Sequence, residues 1–238
     1  MPTETELREA ICEVGRRMWL RSQVAANDGN ISARLDGGEV LCTPTGVSKG
    51  FMEPADLVRL GPDGRVIGPG RPSSEALLHL ACYCARSDVG AVVHAHPPYA
   101  TAFAALGRPV PTQYLTEIAV ALWEVPCAEY GTPGTLEVPR SALPMLETAD
   151  AFLLRNHGVV TVAPDVWEAY HRMETVEQGA RVATIIGQLG GAERFDDSQL
   201  RDLAAIRRES GLGVKPEQYD PRGCIERIAA RWGERSDD

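Results

Sequence analysis

The sequence predicts one globular domain of the α/β class. Segments whose apolar residues recur at helical spacing alternate along the chain with short apolar segments of strand character, and turn residues separate them. The chain has 238 residues, of which 44% are hydrophobic, so it is long enough to bury a substantial core. We therefore expect helices packed on a sheet within one domain.

The first third of the chain is predicted to form a helix followed by two β-hairpins. Apolar residues at helical spacing between charged residues indicate an amphipathic helix over residues 5–26. Alternating residues then predict a hairpin with strands 31–35 and 39–42, because a glycine-containing turn separates them. A second hairpin is expected around residues 62–64.

Two loops could present donors to an anion. Residues 43–50 combine hydroxyls, glycines and one lysine, a composition that can turn backbone N–H groups toward an oxyanion but more often forms only a turn. Ser73 and Ser74 precede an apolar helix predicted over residues 76–86, so they occupy its N-cap region. Glu75 in the first turn, taken alone, is better explained by complementarity to the helix dipole.

A buried strand over residues 91–96 carries two histidines. Period-2 alternation places His94 and His96 on one face, and the following Pro97 and Pro98 should end the strand there. Two imidazoles at a strand end can form a site, although partly buried histidines bonded to backbone groups are a plain alternative.

The second half of the chain is predicted to contain three helices and two strands. The helices are residues 99–106, 138–148 and 167–189, with Asp165 as the cap of the last, and the strands are residues 151–154 and 159–162. His157 falls on a glycine turn between the two strands and is a candidate third imidazole. Residues 109–122 and the segment after residue 191 show no pattern that we assign.

Composition excludes several classes of partner. The net charge of −9 has no basic block, which argues against nucleic acid and anionic membranes as partners. No run approaches the roughly 18 apolar residues of a membrane span, and the acidic start of the chain is unlike a secretion signal. The six cysteines lack CxxC spacing and should be reduced and packed, so we expect a cytoplasmic protein.

Three imidazoles and one carboxylate together suit a divalent ion. His94, His96, His157 and Glu75 supply that set, in which the carboxylate could swing away to open a position for substrate. A metal beside a phosphate site, without a Walker loop, favours chemistry on a phosphorylated sugar. The other two histidines lie on predicted helices and look spare: His79 and His171.

Five motifs in order resemble those of the class II aldolase/adducin family, over roughly residues 5–190. They are Gly29-Asn30-Ile31-Ser32, Thr43-Pro44-Thr45-Gly46, Pro72-Ser73-Ser74-Glu75, Val92-Val93-His94-Ala95-His96 and Asn156-His157-Gly158. The resemblance implies a three-layer α/β/α sandwich around a central, mainly antiparallel sheet, usually assembled as a homotetramer with sites between subunits. Residues 1–190 would form the catalytic domain, and residues 191–238 an extension packed on it or on a neighbouring subunit.

The resemblance also implies roles for individual residues. The three histidines would bind one divalent ion, with zinc expected ahead of manganese, cobalt or iron, and Glu75 would be a fourth ligand that becomes the acid/base. Tyr114 would protonate or polarise the aldehyde end, although an interface aromatic is an equal alternative. Tyr219 is a candidate lid tyrosine from a neighbouring subunit. The phosphate would be held by five residues: Asn30, Thr45, Gly46, Ser73 and Ser74.

The implied reaction is cleavage of a fuculose-1-phosphate-like ketose to dihydroxyacetone phosphate and a short aldehyde through an enediolate stabilised by the metal. Decarboxylation, dehydration and 4-epimerisation of sugar phosphates are alternatives on the same scaffold. Epimerase ranks lower, because the region after the His-x-His strand offers only Glu117 where that branch carries an aspartate. A non-catalytic, adducin-like binding module is the alternative of another class, and retention of the complete ligand set argues against it.

Overall fold

An eight-stranded sheet lies between helices on both faces in the computed structural model, which describes residues 2–213 and 219–232. The strands are β1 (Asn30–Arg34), β2 (Val40–Cys42), β3 (Val58–Leu60), β4 (Val66–Ile67), β5 (Ala91–Ala95), β6 (Cys127–Ala128), β7 (Ala151–Leu154) and β8 (Gly158–Ala163). The α-helices are α1 (Glu4–Leu20), α2 (Ala76–Ala85), α3 (Pro98–Ala105), α4 (Thr116–Leu122), α5 (Glu137–Ala142), α6 (Val166–Gln188), α7 (Asp197–Glu209) and α8 (Pro221–Trp232).

The strand order across the sheet is β4-β3-β2-β1-β5-β8-β7-β6. Every neighbouring pair is antiparallel except β6 with β7, which is parallel. The implied mainly antiparallel sheet is therefore confirmed. The histidine strand β5 lies inside it, between β1 and β8, so its backbone is hydrogen-bonded on both sides.

The two faces of the sheet are covered by different helices. Val93 packs with apolar residues of α1, α3, α4 and α6, whereas its neighbour Val92 faces α2, α5 and α8. This alternation along a strand buried on both faces is what a sheet between two helical layers requires. The three-layer α/β/α sandwich is confirmed.

Several elements are shorter than their apolar patterns predict. α1 begins with a capping box between Thr3 and Glu6, but it ends at Leu20, and Ser22 beyond it has a left-handed φ of 57°. The helix predicted over residues 138–148 ends at Ala142 and continues as a 3₁₀ turn, Leu143–Glu147. Pro144 explains this break, because it has no N–H for the helical ladder.

Three helices lie in segments for which the sequence predicts no element: α4, α7 and α8. α7 begins with a capping box at Asp196, yet Leu203 and Arg207 are its only buried residues within the described chain. Charged and polar residues make up most of this helix, so its few apolar residues give a weak signal although they recur at helical spacing. α7 packs on α4, and α8 packs on α2, so the described part of residues 191–238 contacts both outer layers.

The expectation of six reduced cysteines is wrong for one pair, since Cys84 and Cys224 form a disulfide. Docking of α8 on α2 brings their Cα atoms to 5.7 Å, within the range that a disulfide spans. The two residues are 140 positions apart, so their pairing could not be deduced from spacing. The cysteine argument for a reducing compartment is thereby lost, and the cytoplasmic location stays a prediction.

Removing this disulfide should lower stability, because the bond closes a long loop of the unfolded chain. We expect Cys84→Ala to lose about 2–5 kcal/mol of unfolding free energy. Cys127→Ala, at an unpaired and partly exposed cysteine, is the control and should lose much less. Denaturant melts with and without reductant measure this: reductant should lower the midpoint of the wild type but not that of Cys84→Ala. Equal midpoints for both variants would contradict the pairing.

Candidate active site

β5 delivers two imidazoles to one place, as predicted. His94 is completely buried on the strand, and the side chain of His96, just beyond its end, is 23% exposed. The strand stops there because the His96 backbone N–H donates to the Gln23 carbonyl oxygen, and Pro98 then begins α3. The Nε2 atoms of the two histidines are 3.1 Å apart.

His157 joins them from the turn between β7 and β8. Its ring centroid lies 4.7 Å from that of His94 and 5.0 Å from that of His96. Asn156 before it adopts a left-handed φ of 58°, and Gly158 after it packs against both other rings. A Cβ at Gly158 would collide with the His96 ring and with the Ala95 carbonyl oxygen, so only glycine permits this approach.

The nitrogen atoms of the three rings are arranged for a metal ion, since potential ligand atoms of all three lie within 4.8 Å of one another. His94 Nδ1 lies 2.9 Å from the Val159 carbonyl oxygen, which only accepts, so Nδ1 carries the hydrogen and Nε2 offers a lone pair. His96 Nδ1 lies 3.4 Å from the Asp28 carboxylate, so the Nε2 atom of the same ring points toward His94. These partners orient the rings as outer carboxylates and carbonyls orient metal-binding histidines.

Glu75 completes the group from the N-cap position of α2, one residue later than the predicted cap at Ser73 and Ser74. Its carboxylate does not cap the helix. Oε2 lies 3.2 Å from His94 Nε2, and Oε1 lies 3.3 Å from His157 Nε2. Oε1 is buried without a hydrogen-bond partner in the described residues. A buried carboxylate oxygen and clustered imidazole lone pairs fit a divalent cation, which would satisfy them together.

The electrostatics favour ligand protonation states at Glu75 and His157, whereas the net shift of the His94 pKa is upward, because burial, which lowers it, is outweighed by the Glu75 carboxylate, so a metal ion would displace a proton there. Burial alone would raise the pKa of the Glu75 carboxyl, but the charge and hydrogen bond of His94 outweigh it, so the net shift is downward and the group is ionised. Burial, reinforced by the charge of His94, lowers the pKa of His157 to about 4. His157 is therefore neutral at physiological pH, as a metal ligand must be.

A cleft of about 370 Å³ opens beside these residues. The five predicted phosphate residues all line it: Asn30, Thr45, Gly46, Ser73 and Ser74. Two backbone hydrogen bonds, from Thr45 N–H to the Arg71 carbonyl and from Ser73 N–H to the Thr43 carbonyl, hold the two loops side by side. Within residues 2–213 and 219–232, the amides of Gly46 and Ser74 donate no hydrogen bond, so both are available to an anion.

Lys49 also lines the cleft, a position that its sequence pattern alone does not predict. It is 1% exposed, and its Nζ donates to the carbonyl oxygens of Val47 at 2.6 Å and Asn27 at 3.0 Å. Lys49 is the only lysine or arginine among the lining residues that the structure describes. A single lysine in a loop of glycines and hydroxyls was the available indication, and only the fold shows that it is buried there.

Comparison with known proteins agrees with this geometry. The family model described as Class II Aldolase and Adducin N-terminal domain matches residues 9–184. The chain belongs to the class II aldolase/adducin family. It is 35% identical to a curated "L-fuculose phosphate aldolase" of Methanococcus maripaludis, over 71% of this chain and 91% of the relative. It is 31% identical to a "3-oxo-tetronate 4-phosphate decarboxylase" of Haemophilus influenzae, over 84% of this chain and 97% of the relative.

Solved structures of the family share the fold. One described as "L-fuculose 1-phosphate aldolase" superposes with a TM-score of 0.79 at 28% identity, covering 85% of this chain and 96% of the other. The prediction of an enzyme of the class II aldolase type is confirmed at this level. No helix in the described ranges is both long and apolar enough to cross a membrane.

Two tyrosines expected by family resemblance do not line the cleft of their own chain. Tyr114 lies beside Arg194, whose Nε is 3.4 Å from its hydroxyl. The Tyr219 hydroxyl donates to the Leu143 carbonyl oxygen in the layer that contains α2. For a role at the site, either tyrosine would have to reach the cleft of a neighbouring copy. His171 is also away from the site, on α6, as expected of a spare histidine.

Adding a methyl group at Gly158 should damage the histidine cluster directly. We expect Gly158→Ala to lose about 1–3 kcal/mol of stability by overpacking and to lose most of its bound divalent metal, because His96 must move. Gly187→Ala on α6, where a Cβ meets no atom within 4 Å, is the control and should keep both properties. Metal analysis of purified protein and thermal melts measure the outcome. Full metal occupancy in Gly158→Ala would show that the cluster tolerates displacement.

Proposed function

We propose that this protein is a metal-dependent aldolase that cleaves a fuculose-1-phosphate-like deoxyketose to dihydroxyacetone phosphate and a short aldehyde. One observation carries the proposal: Glu75, two residues of the histidine cluster (His96 and His157) and the loops proposed to bind an anion line the same cleft. A ketose phosphate has its carbonyl and its phosphate a few bonds apart, so one small cleft can hold both. Assembly as a homotetramer is part of the proposal, and it would allow Tyr114 of one copy to approach the cleft of another.

Zinc is the proposed ion, one per chain, held by His94, His96 and His157 with Glu75 as a fourth ligand. Imidazole nitrogen with one carboxylate is a common zinc ligand set, and manganese, cobalt and iron accept the same donors. When bound, the ion supplies Lewis acidity to the substrate carbonyl. The protein's own contribution is to hold the three rings in fixed tautomers and to keep a carboxylate beside them.

The proposed phosphate site combines neutral donors with one buried charge. The amides of Gly46 and Ser74, the serine hydroxyls and the N-terminus of α2 supply hydrogen bonds and a positive helix dipole. Lys49 supplies the positive charge, and within the described residues no carboxylate lies within 4 Å of its ammonium group. This part of the cleft therefore has a local positive charge that suits an anionic substrate, although the net charge of the protein is −9.

Glu75 is the proposed acid/base. When the carbon–carbon bond beside the ketose carbonyl breaks, an electron pair stays on the adjacent carbon, and that carbon must then receive a proton. The hydroxyl on the departing carbon loses its proton as that carbon becomes the aldehyde carbonyl, and an ionised carboxylate at the wall of the cleft can take up this proton and deliver it to the carbon that keeps the electron pair. Glu75 is the only acidic side chain in contact with both His94 and His157 among the described ion pairs.

Decarboxylation is the second candidate, favoured by the extent of the match to the Haemophilus influenzae relative. Loss of carbon dioxide from a 3-oxo acid phosphate leaves the same electron pair beside a carbonyl, so the same residues could serve. A binding module without catalysis is disfavoured, because such a module has no need of clustered imidazoles beside a buried carboxylate.

A substrate panel separates the two candidates. We expect purified, zinc-loaded protein to release dihydroxyacetone phosphate from deoxyketose 1-phosphates, measured with a coupled dehydrogenase. The same panel includes 3-oxo acid phosphates scored for carbon dioxide, and non-phosphorylated ketoses as controls for the phosphate requirement. Release of carbon dioxide alone would replace the aldolase proposal with the decarboxylase, and no turnover of any substrate would favour a binding module.

Replacing Glu75 by glutamine tests its role in proton transfer. Glu75→Gln keeps the size of the side chain but removes the ionisable group, so we expect turnover to fall on the order of 10²–10⁴-fold. Metal content should fall much less, because the three imidazoles remain. His157→Ala is the comparison variant and should lose most of the metal. Steady-state kinetics with metal analysis measures both, and Glu75→Gln turnover within about threefold of wild type would assign proton transfer to another group.

A further inference from the structure

A buried chain of four hydrogen bonds leads from α2 to Glu75. The Tyr83 hydroxyl lies 2.7 Å from Ser32 Oγ, and Ser32 Oγ lies 2.6 Å from His79 Nδ1. His79 Nε2 then lies 2.5 Å from Asn30 Oδ1, and Asn30 Nδ2 donates to Glu75 Oε2 at 2.8 Å. The first four residues are at most 7% exposed, so water does not compete for these bonds.

The donor and acceptor of every hydrogen bond in this series follow from Glu75, its last residue. The ionised Glu75 carboxylate only accepts, so the Asn30 amide must present its NH₂ group to it and its oxygen to His79. That oxygen also only accepts, so the hydrogen of a neutral His79 must be on Nε2. Nδ1 is then an acceptor for the Ser32 hydroxyl, which in turn accepts from Tyr83.

His79 is held in the neutral form that this direction requires. It is 1% exposed on α2, and burial lowers its pKa to about 3. A neutral imidazole has one N–H, so the Ser32 hydroxyl at Nδ1 and the Asn30 oxygen at Nε2 select one tautomer. These two hydrogen-bond partners therefore set the tautomer of His79.

The two carboxylate oxygens of Glu75 differ in their hydrogen bonds. Oε2 is fixed by Asn30, whereas Oε1 accepts no hydrogen bond from the described residues. If the Asn30 amide were free to turn over, its oxygen would face Oε2, and the repulsion of two acceptors would push the carboxylate out of place. The hydrogen bond from His79 prevents that rotation.

We propose that His79 is a positioning residue: its Nε2–H locks the Asn30 amide, which holds the Glu75 carboxylate by Oε2 and so fixes its place beside the histidine cluster. The inference rests on the acid/base role proposed above for Glu75. It gives a function to a histidine that is neither a metal ligand nor in contact with the cleft.

Two substitutions at His79 separate positioning from packing. Glutamine places its amide nitrogen near the position of Nε2 and can still donate to Asn30, whereas asparagine reaches only as far as Nδ1. We expect His79→Asn to lower kcat about 10–100-fold with KM and zinc content nearly unchanged, and His79→Gln to recover most of kcat. Equal kcat losses in both folded, zinc-loaded variants, or wild-type kcat in His79→Asn, would overturn the proposal.

A second measurement does not depend on turnover. In zinc-loaded protein labelled with ¹⁵N-histidine, the five histidines can be assigned by substitution, and His79 should appear as the Nε2–H tautomer. Ser32→Ala removes the partner of Nδ1, so the resonance should move to a mixture of tautomers, with a smaller loss of kcat in the same direction. An Nδ1–H tautomer in the wild type, or an unchanged tautomer in Ser32→Ala, would overturn the proposal. If Glu75→Gln is fully active while the tautomer is as expected, the acid/base assignment fails and the hydrogen-bond chain stands.

Discussion

The register of β1, β5 and β8 is the constraint on which the site depends. Asn30 on β1 pairs directly opposite His94 on β5, and His94 pairs with Val160 on β8. Directly paired residues point to the same face, so the amide that holds Glu75 and the first imidazole necessarily share one side of the sheet. A slip of one residue would turn either side chain to the opposite helical layer.

The same register explains how distant parts of the chain meet. Ser32 is two residues from Asn30 on β1 and therefore faces α2, where it contacts His79. β8 begins at Gly158, so the turn before it presents His157 at the end of β5. Antiparallel pairing thus brings three separate motifs to one edge of one face, and α2 closes that face with Glu75 at its N-cap.

Charge is distributed within the cleft in a way that the net charge of the protein does not suggest. One wall carries an ionised carboxylate among imidazoles, and the other carries a buried ammonium and backbone amides that donate no hydrogen bond to any described residue. Burial strengthens the electrostatic interactions of both charged groups, because the local dielectric constant is low and few water molecules compete. This separation supports the proposed substrate, which has a carbonyl at one end and a phosphate at the other.

The sequence by itself determined the α/β class, most of the elements and the three histidines with Glu75, because strand alternation, helical spacing and short motifs are local properties of the chain. It did not reveal α7 and α8, whose apolar residues are interrupted by many charged ones, or the break at Pro144 within an apolar pattern. Only the tertiary structure decided that Cys84 meets Cys224, that Lys49 is buried at the cleft and that Tyr114 lies away from it. It also decided that His79, a packing residue by its position on a helix, bonds to Asn30 and Ser32. Each of these depends on which residues distant in sequence are brought into contact, and that is set by sheet register and helix docking.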